Sequence, residues 1–434
     1  MAPPDPTDPG NPFQSLLGDL MNMLGSNGPD SWGMTRAFAL NVATGGTPEA
    51  NVEPLQRIQV EQLSRVAELS VAEATGMPVT PDGRRLTCVP VGRGDWTVRA
   101  LESWRPVLAE MATPPAVPKE PDLDPSLDPS LDPSLDPSLD RSLDPSLDPS
   151  LDPTGGMAAM LGRWASAIGP MFFGLQVGSV VGHLSQRSLG QYPLALPWSP
   201  SDELLLVTSN IAEFARDWSL PEEEALLWVC AREIATNSVL TRPAVRSRFE
   251  ELLHAFARSQ AAAQQDLAGR LRGLTGGDDA GALGGGMDLE SLQGMFGDPE
   301  ALLGDLLTPE TRQTSDRLTA LAVVVDAYAD HIATIVGSRL VGAHTQLAEA
   351  WYRRRTERGK GEEAAGALFG LDLDQAAVDR GRAFVAGVVD RAGEESLGRL
   401  WSPVRNLPTP AEVDAPGLWL ERIDLPEPTD PDEG

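Results

Sequence analysis

Residues 228–237 of this chain read Trp228-Val-Cys-Ala-Arg232-Glu233-Ile-Ala-Thr236-Asn237. The run contains neither proline nor glycine, and its one charged pair, Arg232-Glu233, sits in an apolar setting flanked by Ala225-Leu-Leu227 and Ser238-Val-Leu240. That pattern predicts the middle of a buried helix. Positions 232 and 236 are four apart and therefore share one helix face.

Working outward, Ser219-Leu-Pro-Glu222 has the Ser-x-x-Glu spacing of a capping box with proline in the first turn, so the helix is expected to start there and run to about Leu240. Glu222-Glu-Glu224 at its start matches the helix dipole. Arg242-Pro243 breaks it, and a second helix over 244–274, through Phe249, Leu252, Leu253, Phe256, Leu267 and Leu271, is expected to fold back as a hairpin. Upstream, Pro54 to Ala74 reads as an amphipathic helix with Leu55, Ile58, Leu63, Val66 and Leu69 near one stripe and Gly76 as its stop. Short apolar runs at Leu86–Val91 and Glu203–Thr208 read as strands, and Asp95 is a candidate cap for a helix anchored by Trp96, Leu101 and Trp104. Downstream helices are expected over 309–335, 342–355 and 373–392. The apolar stretch 157–184 lacks charge from Trp164 to Gly182, but Ser166, Pro170, Gln176 and Ser179 dilute it, so it reads as a buried helix rather than a membrane span. Its Gly174, Gly178 and Gly182 then mark a close helix neighbour, and His183 is expected to be a hydrogen-bonded core residue.

Low-complexity segments divide the chain. Residues 1–12 are Pro/Asp-rich and read as a disordered N-terminus. Residues 13–114 form an N-terminal helical region that begins with a short docked helix, Phe13 to Leu24. Within 115–156, Asp-Pro-Ser-Leu repeats every four residues, and a proline in each unit with mutually repelling aspartates describes a stiff acidic linker. Residues 157–425 form the main helical domain, interrupted by a glycine-rich loop over 275–288, and 426–434 is an acidic tail.

The balance of 34 Lys+Arg against 63 Asp+Glu gives a net charge of −29, which argues against nucleic acid and anionic membrane surfaces as partners. Two cysteines, Cys88 and Cys230, are too few for a disulfide framework or a thiolate metal site; together with an N-terminus that lacks a secretory pattern, they fit a cytoplasmic protein. No Gly-x-Ser-x-Gly occurs, the glycine-rich loop lacks a following Gly-Lys-Ser/Thr, and both cysteines sit in apolar contexts, so serine, cysteine and phosphate-loop chemistry find no support.

Four stretches, Val42–Val52, Met171–Leu184, Pro200–Leu204 and Leu226–Ala231, resemble the bacterial (actinobacterial-type) zincin-like metallopeptidase type 2 family, whose members are described as zinc-dependent metalloproteases or hydrolases. The resemblance spans about residues 12–114 and 157–425 and implies a mainly α, zincin-like helical fold with a minor β component. Such enzymes carry His-Glu-x-x-His on one helix, which brings two imidazoles to one zinc and sets a glutamate beside its water. On the resemblance, Arg232 takes the first histidine position, Glu233 the retained general-base position, Thr236 the second histidine position, and Asp326 the acidic third-ligand position. Arginine offers no free lone pair, and threonine is a poor zinc ligand, so no metal is expected. The functional expectation is a catalytically inactive pseudo-metalloprotease that acts as a binding or regulatory module for a peptide or protein; the alternative is an active zinc-dependent hydrolase with displaced ligands. A further expectation is that Arg232 pairs with Asp326 or Glu233, against the plainer possibility that it points to solvent. Asp330 and His331 are weak candidates for a rebuilt site, while His254 and His344 read as surface or packing residues.

Overall fold

The computed structural model describes residues 31–112, 173–275 and 308–426. The 13–24 helix, the Asp-Pro-Ser-Leu linker, the glycine-rich loop and nearly all of the acidic tail therefore lie outside the described residues. Described elements run α1 (Ser31–Thr44), α2 (Pro54–Thr75), β1 (Thr87–Val91), α3 (Arg93–Met111), α4 (173–187), β2 (Glu203–Val207), α5 (Thr208–Asp217), α6 (Glu222–Leu240), α7 (Pro243–Thr275), α8 (Pro309–Leu340), α9 (His344–Thr356), α10 (Lys360–Leu368) and α11 (Gln375–Ala392). Two 3-10 turns, Glu394–Trp401 and Val404–Asn406, lead to short helices α12 (Pro410–Asp414) and α13 (Pro416–Asp424). The fold is mainly α with a minor β component.

One apolar cluster joins residues from both sides of the repeat segment, from Ala39 to Ile423. Its centre is α6, in which every residue from Ala225 to Leu240 is buried. A helix can be buried on all sides only if other elements enclose it, and here α8, α2 and α5 pack around it. The long helix α8 packs in turn against α11 and α7. It is long and apolar enough to cross a membrane, but its apolar stretch is mostly buried inside the protein, as befits a core helix.

β1 and β2 form a parallel pair in the register Thr87↔Glu203 to Val91↔Val207. On the other side of β2, Gly190 bridges Leu206 and the Val207 N–H donates to Leu189 O (2.8 Å), which fastens the segment after α4 to the sheet. Nearby, Trp96, Trp104, Trp198 and Phe369 meet edge to face with centroids 5.0–6.2 Å apart, and the Trp96 indole donates to Gly190 O (2.8 Å). Trp96, Leu101 and Trp104 are the core anchors their positions implied.

Several local expectations are corrected. The α2 stripe is not the buried face: Leu55, Ile58, Val66 and Leu69 are exposed, and Val60, Ser64, Ala67 and Val71 are buried instead. The buried face of α2 is the one that meets α6, β1 and α8, and the larger apolar stripe lies on the other side. Ser219 has φ +54 and does not cap α6, whose N-cap is Pro221, so the capping box does not form. Asp95 lies in the first turn of α3, and Gly92 is its N-cap. Helix α7 turns away from α6 to pack on α3 and α8, so the two do not form a packed hairpin. His183 is exposed, with Nδ1 2.8 Å from Ser179 O, rather than in the core. The glycine row reads correctly where it is described: a Cβ at Gly178 would come within 2.8 Å of Thr35 O and one at Gly182 within 2.7 Å of the Val42 Cβ, both on α1.

The reversed face of α2 is testable. Ala67→Glu places a charge in the α2–α6 seam and is expected to destabilise the protein by about 3 kcal/mol or more. Leu69→Glu on the exposed stripe is expected to change stability by no more than about 0.5 kcal/mol. Urea unfolding of both variants checks the ordering.

Candidate functional site

Of the three motif-derived positions on α6, Arg232 and Glu233 meet Asp326 of α8, while Thr236 bonds only within its own helix. Arg232 is 2% exposed, and its guanidinium lies among three carboxylates: Nη2 to Asp326 Oδ1 at 2.7 Å, Nε to Asp330 Oδ1 at 2.9 Å, and Nη1 to Glu233 Oε1 at 3.3 Å. Asp326 and Asp330 are one turn apart on α8, so one face of that helix presents both. A second cation closes the cluster from α9: Arg355 reaches Asp326 Oδ2 (2.8 Å) and Asp330 Oδ2 (2.9 Å). Also on α9, the Trp351 indole donates to Asp330 Oδ1 (2.9 Å), and its ring lies 4.4 Å from the Arg232 guanidinium carbon. Arg232 thus faces inward, paired with Asp326, Glu233 and Asp330 and stacked on an aromatic face, which is the desolvated geometry in which cation–π attraction is strongest.

Glu233 uses its other oxygen, Oε2, to accept the Tyr192 backbone N–H (2.9 Å). Tyr192 is itself held by side-chain contacts: its hydroxyl donates to Asn237 Oδ1 (2.9 Å) and accepts from Gln191 Nε2 (3.1 Å), while Gln191 Oε1 accepts the Leu205 N–H (3.2 Å). This chain of bonds ties α6 to β2 through the 189–192 segment. Gly190 is needed there because a Cβ would fall 2.4 Å from the Glu233 carboxyl carbon. Thr236 is fully buried, and its hydroxyl donates back to Arg232 O (3.0 Å) within α6.

Burial dominates the protonation of Glu233 and pushes its pKa up from the ordinary 4.5 to about 7; Arg232 and the Tyr192 N–H pull it down, and Asp326 adds to the rise. The charge balance agrees, since three carboxylates share two guanidiniums and the longest of the three Arg232 contacts is to Glu233. Burial alone would lower the Arg232 pKa, but Asp330, Asp326 and Glu233 outweigh it, and the guanidinium stays charged.

The donor set does not fit a zinc centre. Arg232 fills the space between the carboxylates, both oxygens of Asp326 and of Asp330 accept from guanidiniums or indole, and Thr236 is engaged with its own helix. Among the described residues, no group of three or more His, Cys, Asp or Glu is arranged to hold a metal ion. His331 lies with Nε2 3.8 Å from Glu394. His254 Nδ1 is 2.9 Å from Glu110, and His344 Nδ1 is 3.2 Å from Val341 O. Cys88 and Cys230 are free and buried; burial drives the Cys88 pKa up to about 12 and raises that of Cys230 well above its ordinary value, which disfavours the thiolate at both.

Sequence reasoning missed Trp351, Arg355, Tyr192 and Gly190. The available signal was the basic run Arg353-Arg-Arg355 followed by Arg358, conspicuous in a chain of net charge −29.

A family model described as zincin-like metallopeptidase matches residues 31–420. A search of curated proteins returned no match. Among solved structures, a chain from Chloroflexus aurantiacus, described provisionally as a hydrolase with a novel fold, is similar at a TM-score of 0.58 and 22% identity, over 91% of this chain and 99% of that one. At that identity the likeness concerns the fold. With the family model covering most of its length, the chain belongs to the zincin-like metallopeptidase family.

Proposed function

We propose that this protein is a catalytically silent, metal-independent member of its family, in which an arginine-centred ion cluster replaces the metal and the cleft above it serves as a binding or regulatory module for peptide or protein. The observation that carries this reading is the Arg232 guanidinium paired with Asp326, Asp330 and Glu233 at 2.7, 2.9 and 3.3 Å. A fixed monocation there neutralises the carboxylates of α6 and α8 but has no vacant orbital with which to activate water. The two unpaired buried cysteines suit a reducing, cytoplasmic setting.

Metal content tests the reading against the rival, an active hydrolase with displaced ligands. Purified protein dialysed against buffer is expected to carry zinc far below one equivalent. Stoichiometric zinc that is lost in Asp326→Asn or Glu233→Gln overturns the proposal. As a complement, the double substitution Arg232→His with Thr236→His restores two imidazoles on one face of α6, and zinc binding measured by calorimetry is expected to appear. No gain of binding counts against the assigned positions.

If Arg232 holds the helices together, removing it strands buried carboxylates. Arg232→Ala is expected to cost on the order of 3 kcal/mol or more in urea unfolding. A double-mutant cycle with Asp326→Ala should give a coupling of about 1–3 kcal/mol, and simple additivity would show that the pair does not interact energetically.

Native Glu233 keeps its proton up to about pH 7, while an unfolded glutamate loses it near 4.5. Within that window the native state binds more protons, so the stability contributed by Glu233 falls as pH rises through it. Glu233→Gln removes this titration. The stability of the variant relative to the parent is therefore expected to improve progressively from about pH 4.5 to pH 7, as followed by urea midpoints.

A further inference from the structure

The ion cluster forms the floor of a cleft whose walls carry Arg187, Arg354, Arg355, Arg358 and Glu362. Not all of these cations are neutralised by the fold. Arg355 is committed to Asp326 and Asp330. Arg187 pairs with Glu362 at 3.0 Å and also donates to the carbonyls of Arg354 and Glu357. Arg354 donates to Arg187 O and lies over the Phe214 ring at 5.6 Å, with no carboxylate in ion-pair range among the described residues. Arg358, half-buried, has neither an ion pair nor a hydrogen bond among the described residues. Glu362, Glu213 and Asp217 act on Arg354, and Asp326, Glu362 and Glu363 on Arg358, all from a distance; Asp326 is already held by Arg232 and Arg355, Glu362 by Arg187 and Glu213 by Arg93.

A partly buried guanidinium with no hydrogen bond or ion pair among the described residues, Arg358, beside another, Arg354, that has a carbonyl and a ring but no carboxylate, is costly for a folded protein unless an anion completes the pair. Burial, and after it the neighbouring Arg187, lowers the Arg354 pKa to about 10; burial and Arg355 likewise depress that of Arg358. This local excess of positive charge occurs in a chain of net charge −29, whose exposed negative charges are screened over roughly 8 Å at physiological salt. The throat has a cavity volume of about 30 Å³, room for a group of one or two water-sized parts rather than for a ring or a whole molecule.

We propose that the throat between Arg354 and Arg358 is a carboxylate-binding site, which receives the C-terminal carboxylate of a peptide whose remaining residues lie along the open part of the cleft. The planar fork of arginine matches a carboxylate through two parallel N–H donors, and a cavity of about 30 Å³ has room for a group of that size. This assignment rests on the binding-module reading and names its ligand class. Arg355 and Arg232 form the rigid wall behind the site, and Arg354 and Arg358 are the contacting donors.

The test is an NMR titration of the full-length, chelator-dialysed protein, with zinc content measured on the same sample, using acetyl-trialanine with a free C-terminus, its C-terminal amide, and inorganic phosphate as probes. The free acid is expected to bind and the amide to show no saturable binding. Arg358→Gln, which removes no bond of the fold, is expected to weaken the free acid by about tenfold or more while leaving the melting temperature unchanged. Arg85→Gln, an exposed arginine elsewhere, is expected to leave binding unaltered. Equal binding of acid and amide, undiminished binding in Arg358→Gln, or binding of phosphate without the free acid each overturns the proposal. A zinc-loaded sample overturns the metal-independent reading separately, because the carboxylate result is read from the arginine variant and not from metal content.

Discussion

A single buried guanidinium determines how the three central helices meet. Arg232 on α6 bonds Asp326 and Asp330 on α8 and stacks on Trp351 of α9, and Arg355 on α9 grips the same two aspartates from their other oxygens. Removing one charge from such a set leaves the others desolvated and uncompensated, which costs more than the set contributes when complete. The constraint is therefore asymmetric. The cluster is weak as a source of stability but strict as a specifier of register, because a shift of α8 by one residue would rotate both aspartates about 100° away from α6.

The cluster is also one positive charge short, and the shortfall settles on Glu233. Its pKa near 7 follows first from burial and then from the charge of Asp326, against the pull of Arg232 and of the Tyr192 N–H that fixes its second oxygen. The segment that supplies this N–H must contain Gly190, since any larger residue would meet the carboxyl group, and the same segment is pinned to β2 and to Trp96. The small parallel sheet thus acts as a support that holds the 189–192 backbone against α6, and this is its contribution to the site.

Much of this was legible in the chain. An apolar, uninterrupted 228–237 placed a buried helix at the centre, and Arg232, Glu233 and Asp326 come together in space, whereas Thr236 stays bonded to its own helix. The legible part is whatever depends on local pattern: helix existence, the stop at Gly76 in the left-handed conformation, and the small-residue spacing at Gly178 and Gly182. What failed depends on which of two competing surfaces a neighbour selects. In α2 the bulkier stripe loses to Val60, Ser64, Ala67 and Val71, the face that α6, β1 and α8 cover; in Ser219-Leu-Pro-Glu222 the residue that would cap the helix takes a positive φ instead. The partners from α9 and the 189–192 loop were invisible for a different reason, since their roles exist only once distant segments are brought together.

An arginine monocation differs from a metal dication in more than charge. Zinc would draw its ligands into a tetrahedral shell and leave one coordination position open toward the cleft. A guanidinium is planar and directs its donors sideways and inward, here to three carboxylates, while one face is covered by Trp351. The floor of the cleft is thereby occupied by a cation held in place by its carboxylates, and further guanidiniums line its walls. A scaffold of this kind separates two properties that a metallopeptidase combines at one atom, the attraction of a negatively polarised group and the activation of water. In the metal-independent reading proposed above, the guanidiniums of the wall supply the first, and the second would be left to Glu233 without a Lewis acid beside it.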